Sequence, residues 1–382
     1  MPIFTRPLPL SLYIHLPWCV RKCPYCDFNS HALLGELPEA AYVSALLQEI
    51  DCHLAEIGQR PILSIFFGGG TPSLFSVKAI DTILNELAQR LSFSPTIEIT
   101  LEANPGTVDQ ARFQGFRQAG VNRLSLGIQS LQNDKLSLLG RIHDSAQALR
   151  AIEIAQAAGF SNFNLDIMYG LPQQSVEQAL ADIDLALACQ PTHFSWYQLT
   201  LEPNTLFYHQ PPQLPSEEVI MDMQIAGQAR IQAQHFQQYE VSAYAKAGKE
   251  CLHNRNYWEF GDYLGIGAGA HSKLTAIETD SVWRFSQVKH PKDYLNADKR
   301  SVLNKTKVSD PDLIFEFMLN ALRLTQGVPL TLFTEHTGLA LSHIEPKINA
   351  AKERGLLLET DTLCPSALGK QFLNDLTAMF LP

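Results

Sequence analysis

The sequence predicts an α/β protein, a partial barrel of six βα units followed by a smaller, mainly helical, winged-helix-like domain. Three observations predict it. Between residues 10 and 203, six short apolar runs alternate with stretches of helical period, which implies parallel strands joined by right-handed crossovers. Cys19, Gly69, Glu102, Gln129, Asp166 and Thr200 fall at or just past the ends of those runs. Such ends converge on one mouth in a barrel and spread along an edge in an open sheet. From about Asp310 the pattern changes to helices around one short strand pair. A full barrel needs two more units, so this one is expected to stay open.

The strands read, in order, SLYIHLP, ILSIFFGGG, TIEITLEAN, RLSLGIQS, FNLDIMYGLP and HFSWYQLTLEP. Each is a short run of mostly β-branched, aromatic or leucine residues, and most end in Gly, Pro or Asn. Between them, EAAYVSALLQEIDCHLAEI and AQALRAIEIAQAAG place apolar residues every three or four positions, as a helix packed on a sheet requires. Residues 204–300 read as an irregular extension with a helix around MDMQIAGQARIQAQ, followed by HNRNYWEFGDYLGIGAGAHS. DLIFEFMLNALRL, the turn TQGVPL, ERGLLLET and ALGKQFLNDLTAMF then make the last domain. The expected divisions are 1–205 for the barrel core, 206–300 for its extension and 301–382 for the C-terminal domain.

Composition narrows the function. With 46% hydrophobic and 18% charged residues the 382-residue chain can bury a sizeable core. A net charge of −10 argues against non-specific nucleic-acid binding, which needs a basic surface. The C-terminal residues 312–382 carry eight Asp/Glu against five Lys/Arg, so a structural or partner-docking role is expected there instead of DNA binding. The N-terminus lacks a signal-peptide pattern, and no run of about 18 apolar residues would span a bilayer. Seven cysteines, an odd number with three clustered, suit a reducing compartment and metal ligation. The cytoplasm is therefore the expected location; a peripheral membrane contact would leave no trace in such a pattern.

The three clustered cysteines, Cys19, Cys23 and Cys26, lie in WCVRKCPYCDFNS with the spacing C-x3-C-x2-C. Buried free cysteines usually come singly, as Cys52, Cys189, Cys251 and Cys364 do. Zinc also takes thiolates, but its short-spaced sites draw on paired knuckles, and no second C-x2-C or H-x3-H pair follows. An iron–sulfur cluster is the better reading, with three thiolates leaving one iron open. This spacing after the first strand of a partial βα barrel resembles the radical S-adenosylmethionine (SAM) superfamily. The resemblance implies a [4Fe-4S] cluster whose open iron is chelated by SAM. It also implies cleavage of SAM, on one-electron reduction, to methionine and a 5′-deoxyadenosyl radical. IFFGGGTPS resembles the superfamily's GGTP segment, where absent Cβ atoms allow a close backbone approach. A P-loop is excluded because no Gly-Lys-Ser/Thr follows. Gly265, Gly267 and Gly269 echo a dinucleotide fingerprint without its strand–helix setting.

YIHLPWC, FFGGGTP, LEANPGT, RLSLGIQS, NLDIMYGLP and YLGIGAGAHS, in that order, resemble the coproporphyrinogen dehydrogenases and their siblings, the HemW-type heme chaperones. The likeness runs from about residue 11 to 380. It implies that Tyr13, Gly69, Gly70, Thr71, Glu102, Gln129, Arg141 and Asp166 surround SAM. Tyr13 could instead be core, and Arg141 the partner of a buried Glu102 or Asp166, since a carboxylate among apolar strand residues is costly to bury unpaired. Phe28 decides between the siblings, because the dehydrogenases place a further cysteine there. HNRNYW, residues 253–258, resembles the chaperones' HNxxYW motif. A neutral His253 can ligate heme iron, Tyr257 and Trp258 can pack on the macrocycle, and Arg255 can meet a propionate. The expected function is heme binding and delivery to acceptor hemoproteins, with an unidentified electron donor. The alternative is oxidative decarboxylation of coproporphyrinogen III. A homodimer is left open.

Overall fold

The computed structural model describes residues 2–300 and 302–382. Six parallel strands form its centre: β1 (Leu10–Leu16), β2 (Ile62–Gly69), β3 (Phe93–Ala103), β4 (Arg123–Gln129), β5 (Phe163–Tyr169) and β6 (His193–Gln198). All pair with their neighbours in sequence order. The six predicted runs are these six strands.

The crossovers are helices, chiefly α1 (Glu39–Ile57), α2 (Val77–Arg90), α3 (Gln110–Gln118), α4 (Ser145–Ala157) and α5 (Val176–Ala188). Their starts are written in the sequence. Ser76 and Asp109 accept a backbone N–H of the first turn, and Asp144 with Gln147 and Ser175 with Gln178 form capping boxes. In α2, Ile80, Ile83, Leu84 and Leu87 are buried on one stripe. Each such side chain contributes about 1.5–3 kcal/mol by leaving water.

Strand residues alternate between two faces. One row, such as Leu10, Leu12, Ile14 and Leu16 of β1, joins the apolar core beneath the helices. The other row is unusually polar: Tyr13 and His15, Glu102, Arg123 and Ser125, Asn164 and Asp166, His193 and Ser195 all border one cavity. A filled barrel would place branched aliphatic residues there. This interior is built to hold something else.

Residues 204–300, expected to be irregular, extend both edges of the sheet, and the last strand added falls just beyond them, within the predicted C-terminal domain. Beside β6 lie β7 (Gln237–Glu240) and β8 (Ala243–Ala245), with β8 antiparallel to β6. Beside β1 lie β9 (Asp262–Ile266), parallel to it, and then the antiparallel β10 (His271–Ala276), β11 (Ser281–Gln287) and β12 (Val302–Lys307). The resulting order is β12-β11-β10-β9-β1-β2-β3-β4-β5-β6-β8-β7. Strands of three to seven residues separated by tight turns give too short a period to read from sequence. The helix α6 (Glu217–Gln232) lies where expected, and HNRNYW forms a further helix, α7 (Leu252–Trp258). No helix among the described residues is long and apolar enough to cross a membrane.

The C-terminal domain contains α8 (Asp310–Ala321), α9 (Leu330–Thr337) and α10 (Glu345–Glu353), with Val328–Pro329 paired to Thr362–Leu363. Its own apolar core reaches the barrel extension through Phe260, whose ring lies edge-on to Phe317 at 5.7 Å. Beside that contact Asp262, fully buried, binds Lys273 at 3.1 Å and Arg60 at 2.6 Å. Both cations hold its carboxyl below the ordinary range against the opposing effect of burial.

Candidate cofactor site

The cysteine loop leaves β1 at Leu16 and is closed by a two-residue ladder, Trp18–Cys19 against His31–Ala32. Cys19 is buried, Cys23 and Cys26 are half-buried, and all three are free thiols. The loop is pinned from outside: Asn29 Nδ2 donates to the carbonyls of Ala268 and Lys289, each at 2.8 Å. Inside, a Cβ at Gly70 would stand 2.5 Å from the Trp18 carbonyl oxygen, so only glycine fits there. Gly70 N–H and Thr71 N–H donate to Leu16 and Trp18 carbonyls at 2.9 and 2.7 Å. These two residues, expected to line a SAM wall with their amides, spend those amides on the loop backbone.

The donor set suits an iron–sulfur cube. Burial, and then the like charge of Cys26 and Cys23, pushes the Cys19 thiol up to about 11. Three thiolates this close are costly unless a cationic metal centre binds them. Among the described residues no three His, Cys, Asp or Glu side chains gather on one point as a single metal ion needs; in a cube each thiolate caps a different iron. Arg141 Nη1 donates to Cys23 Sγ at 3.7 Å and its Nη2 to the Gly127 carbonyl at 2.7 Å. It therefore reaches the cysteine loop and makes no ion pair with Glu102 or Asp166.

Beneath the loop opens a cavity of about 1400 Å³. Its upper wall holds Tyr13, His15, Gly69 and Glu102. His15 Nε2 meets the Asn29 carbonyl at 2.9 Å and so carries the proton, leaving Nδ1 to accept from Tyr13 Oη at 3.1 Å. Burial lowers the His15 pKa to about 4. The ring crowds Gly69, where a Cβ would meet it at 2.7 Å and φ is +119°. Glu102 is pushed up to about 8, by burial first and the Asp166 charge second, while a hydrogen bond from Gly69 N–H opposes the shift. Asp166 lies mid-strand, not at the strand end, and accepts from Ser125 Oγ at 2.9 Å and Asn164 Nδ2 at 2.8 Å. Gln129 ends β4 beside a register shift with φ +70°, and its Oε1 accepts from Tyr197 Oη at 2.7 Å. Backbone outliers of this kind persist where the surroundings over-determine them.

The lower part of the cavity meets α7. Glu98 of β3 accepts Leu252 N–H at 3.0 Å and His253 N–H at 3.4 Å, capping the helix with a carboxylate where its dipole favours one. His253 then turns inward against Phe66 (5.0 Å) and Tyr13 (6.2 Å). Ser64 Oγ gives its proton to Ser11, so His253 Nδ1, 3.1 Å away, is the donor to Ser64. The Nε2 lone pair is left free to act as a ligand. Burial, with Arg123 second, lowers the His253 pKa to about 3, so the ring is neutral. Tyr257 and Trp258 border the same space. Arg255 does not: Glu250 and Glu259 hold its guanidinium at the surface, each at 2.6 Å.

Residues 13–186 match the radical SAM superfamily and residues 308–372 the HemN C-terminal domain. The chain is 49% identical to the heme chaperone HemW of Haemophilus influenzae, over 98% of each chain. The chain belongs to the HemW family. It is also 47% identical to the heme chaperone HemW of Escherichia coli, over 98% of each, and 34% to that of Bacillus subtilis, over 97% of this chain and 99% of the relative. Among solved structures it resembles coproporphyrinogen III oxidase (HemN) from Escherichia coli, a radical SAM enzyme. The TM-score is 0.83 at 21% identity, over 98% of this chain and 90% of that one, which shows the shared fold.

In this HemW-family chain, Tyr13, Gly69, Glu102, Asp166, His253, Tyr257 and Trp258 border one cavity. Gln129, Arg141, Gly70 and Thr71 stand behind its upper wall or the cysteine loop. Sequence reasoning missed the deep polar row of Arg123, Asn164 and His193, together with His15. The signal was available as alternating polar residues inside otherwise apolar strands.

Proposed function

We propose that the chain is a heme chaperone that binds heme and passes it to acceptor hemoproteins, holding a [4Fe-4S] cluster on Cys19, Cys23 and Cys26 with SAM beside it. The observation that carries this is the 49% and 47% identity, over almost the whole of each chain, to two proteins named heme chaperones. The structure named coproporphyrinogen III oxidase shares only 21%.

Bound at these cysteines, such a cluster supplies the electron that cleaves SAM. The rest is the work of the chain. Glu102 and Gly69 offer an acceptor and a backbone wall at the end of the cavity next to the loop. Glu102, with its pKa near 8, holds a proton at neutral pH, so it can both donate to and accept from a bound amino acid. Phe28 is 63% exposed and borders the cavity; it presents a ring where a cysteine would present a thiol. His253 Nε2 supplies a neutral nitrogen for heme iron, in a cavity that Tyr257 also borders. A cavity of about 1400 Å³ exceeds the roughly 300–1,000 Å³ of an ordinary small-molecule pocket, enough for a macrocycle as well as a nucleoside.

The test is anaerobic. Cluster-reconstituted protein is titrated with heme, then incubated with coproporphyrinogen III, SAM and a reductant. A heme absorbance band without protoporphyrinogen formation is expected. Turnover of coproporphyrinogen would overturn the chaperone reading.

A further inference from the structure

The deep end of the cavity is rich in donors that lack acceptors. Arg123 Nε, Trp258 Nε1 and Arg323 Nε are buried with no hydrogen-bond partner, and all three side chains border the cavity. Arginine and tryptophan can only donate. Arg323 comes from the C-terminal domain, just past α8, and its guanidinium lies 4.3 Å from the Trp258 ring centre. Of its five N–H groups one is engaged, by Glu240 at 3.2 Å. Arg123 is 2% exposed. Its side-chain contacts are a weak one to Thr100 at 3.4 Å and an ion pair with Glu98 Oε2 at 3.9 Å, beyond hydrogen-bond reach, while Glu98 Oε1 caps α7.

The Arg123 guanidinium, buried with unused N–H groups, is costly unless an acceptor arrives, and Arg323, whose side chain is 30% exposed, keeps N–H groups within reach of a ligand. The ligand that completes this end must carry oxygen acceptors and negative charge. Its neighbours along the cavity, Trp258, Tyr257 and Phe66, demand a flat apolar body attached to that charge. We infer that Arg323, with Arg123 behind it, forms a carboxylate subsite that receives a propionate of a porphyrin ligand. The subsite takes the role that the sequence suggested for Arg255, and it makes the C-terminal domain part of the binding site. It rests on the heme reading above and adds the group by which the macrocycle is oriented.

A carboxylate could also belong to SAM, so the experiment has separate arms. Full-length Arg323→Gln, Arg323→Lys and Arg255→Gln proteins are titrated with heme, with heme dimethyl ester, whose propionates are blocked, and with SAM. Arg323→Gln is expected to weaken heme binding about tenfold or more, the scale of a charge-assisted hydrogen bond. Its affinity for the dimethyl ester and for SAM should match the wild type, which also shows that the fold is intact. Arg323→Lys should recover part of the loss, and Arg255→Gln should behave as wild type. Unchanged heme affinity in Arg323→Gln overturns the subsite. An equal loss for the dimethyl ester overturns it in favour of packing, and a loss confined to SAM assigns the carboxylate to SAM. Wild-type protein that binds neither heme nor its ester overturns the chaperone reading itself.

Discussion

At the cysteine end of the cavity the groups come from strand C-terminal ends and the loops that follow them, and three of them are neighbours in WCVRKCPYCDFNS. At the deep end the groups come from alternate positions of several strands, from α7 and from the C-terminal domain. The first region is a loop held by backbone hydrogen bonds; the second is an assembly held by buried charge. Gly70 and Thr71 N–H tie the loop to the end of the neighbouring strand β2, and Asn29 ties it to the Ala268 and Lys289 carbonyls. The second also depends on long-range contacts, such as Glu98 to α7 across more than 150 residues, and these are made by a buried charge.

The sharpest way to break this contrast is at the cluster. Cys23→Ser should abolish the cluster's visible absorbance and SAM cleavage together, while heme binding persists; a cluster of full absorbance would show the ligand set to be wrong. The converse variant is Glu98→Ala, which strips α7 of its cap and leaves Arg123 with no carboxylate at its side. Breaking a buried pair costs about 3–5 kcal/mol, so a urea midpoint well below wild type is expected, with heme binding lost and the reconstituted cluster retained. Equal loss of both would mean that the two ends are one cooperative unit. Smaller still, His253→Ala should weaken heme binding and leave cluster and SAM affinity untouched. An unchanged heme spectrum would remove His253 from the site.

The last effect is one of pH. The folded-state pKa of His253, about 3, lies below its unfolded value of 6.5. As pH falls through 6.5 the unfolded chain takes a proton that the folded chain refuses, so stability is complete above that value and declines towards pH 3. The groups around the residue are Ser64, Tyr13 and Phe66, with the Glu98 carboxylate at its backbone N–H and the Arg123 charge acting on the ring. His253→Gln should flatten the fall of the unfolding free energy, measured by urea denaturation between pH 6 and 5, by at most about 1.4 kcal/mol per pH unit. His15 and His193, lowered in the same sense, keep a residual slope in the variant. A variant curve parallel to the wild type would mean that the ring is not buried neutral.

The same contrast explains what could be read in advance. The six barrel strands were legible because each pairs an apolar run with a turn signal, and the cysteine loop because its spacing is contiguous. The strands β9 to β12 were not, since β9 finds its partner, β1, some 250 residues earlier, and no local pattern encodes that pairing. Asp166 was recognised as unusual but placed at a strand end, because a polar residue in an apolar run marks either an end or an inward face. Arg255 looked available for a propionate because HNRNYW reads as polar loop. Once the segment is helical, Arg255 points to Glu259 one turn away, and the inward side belongs to His253.

The parallel pairing of β9 with β1 also has a consequence for biosynthesis. Until residue 266 has left the ribosome, β1 has a partner on one side alone, and Asn29 lacks the Ala268 and Lys289 carbonyls that anchor the cysteine loop. At about 5–20 residues per second that interval lasts on the order of ten to fifty seconds. During it the nascent chain carries an unpaired strand edge next to three exposed thiols, an aggregation and oxidation hazard. The protein is therefore at its most vulnerable during synthesis: the five-residue strand Asp262–Ile266 covers the edge of β1, and the loop gains its second anchor only when Lys289 follows.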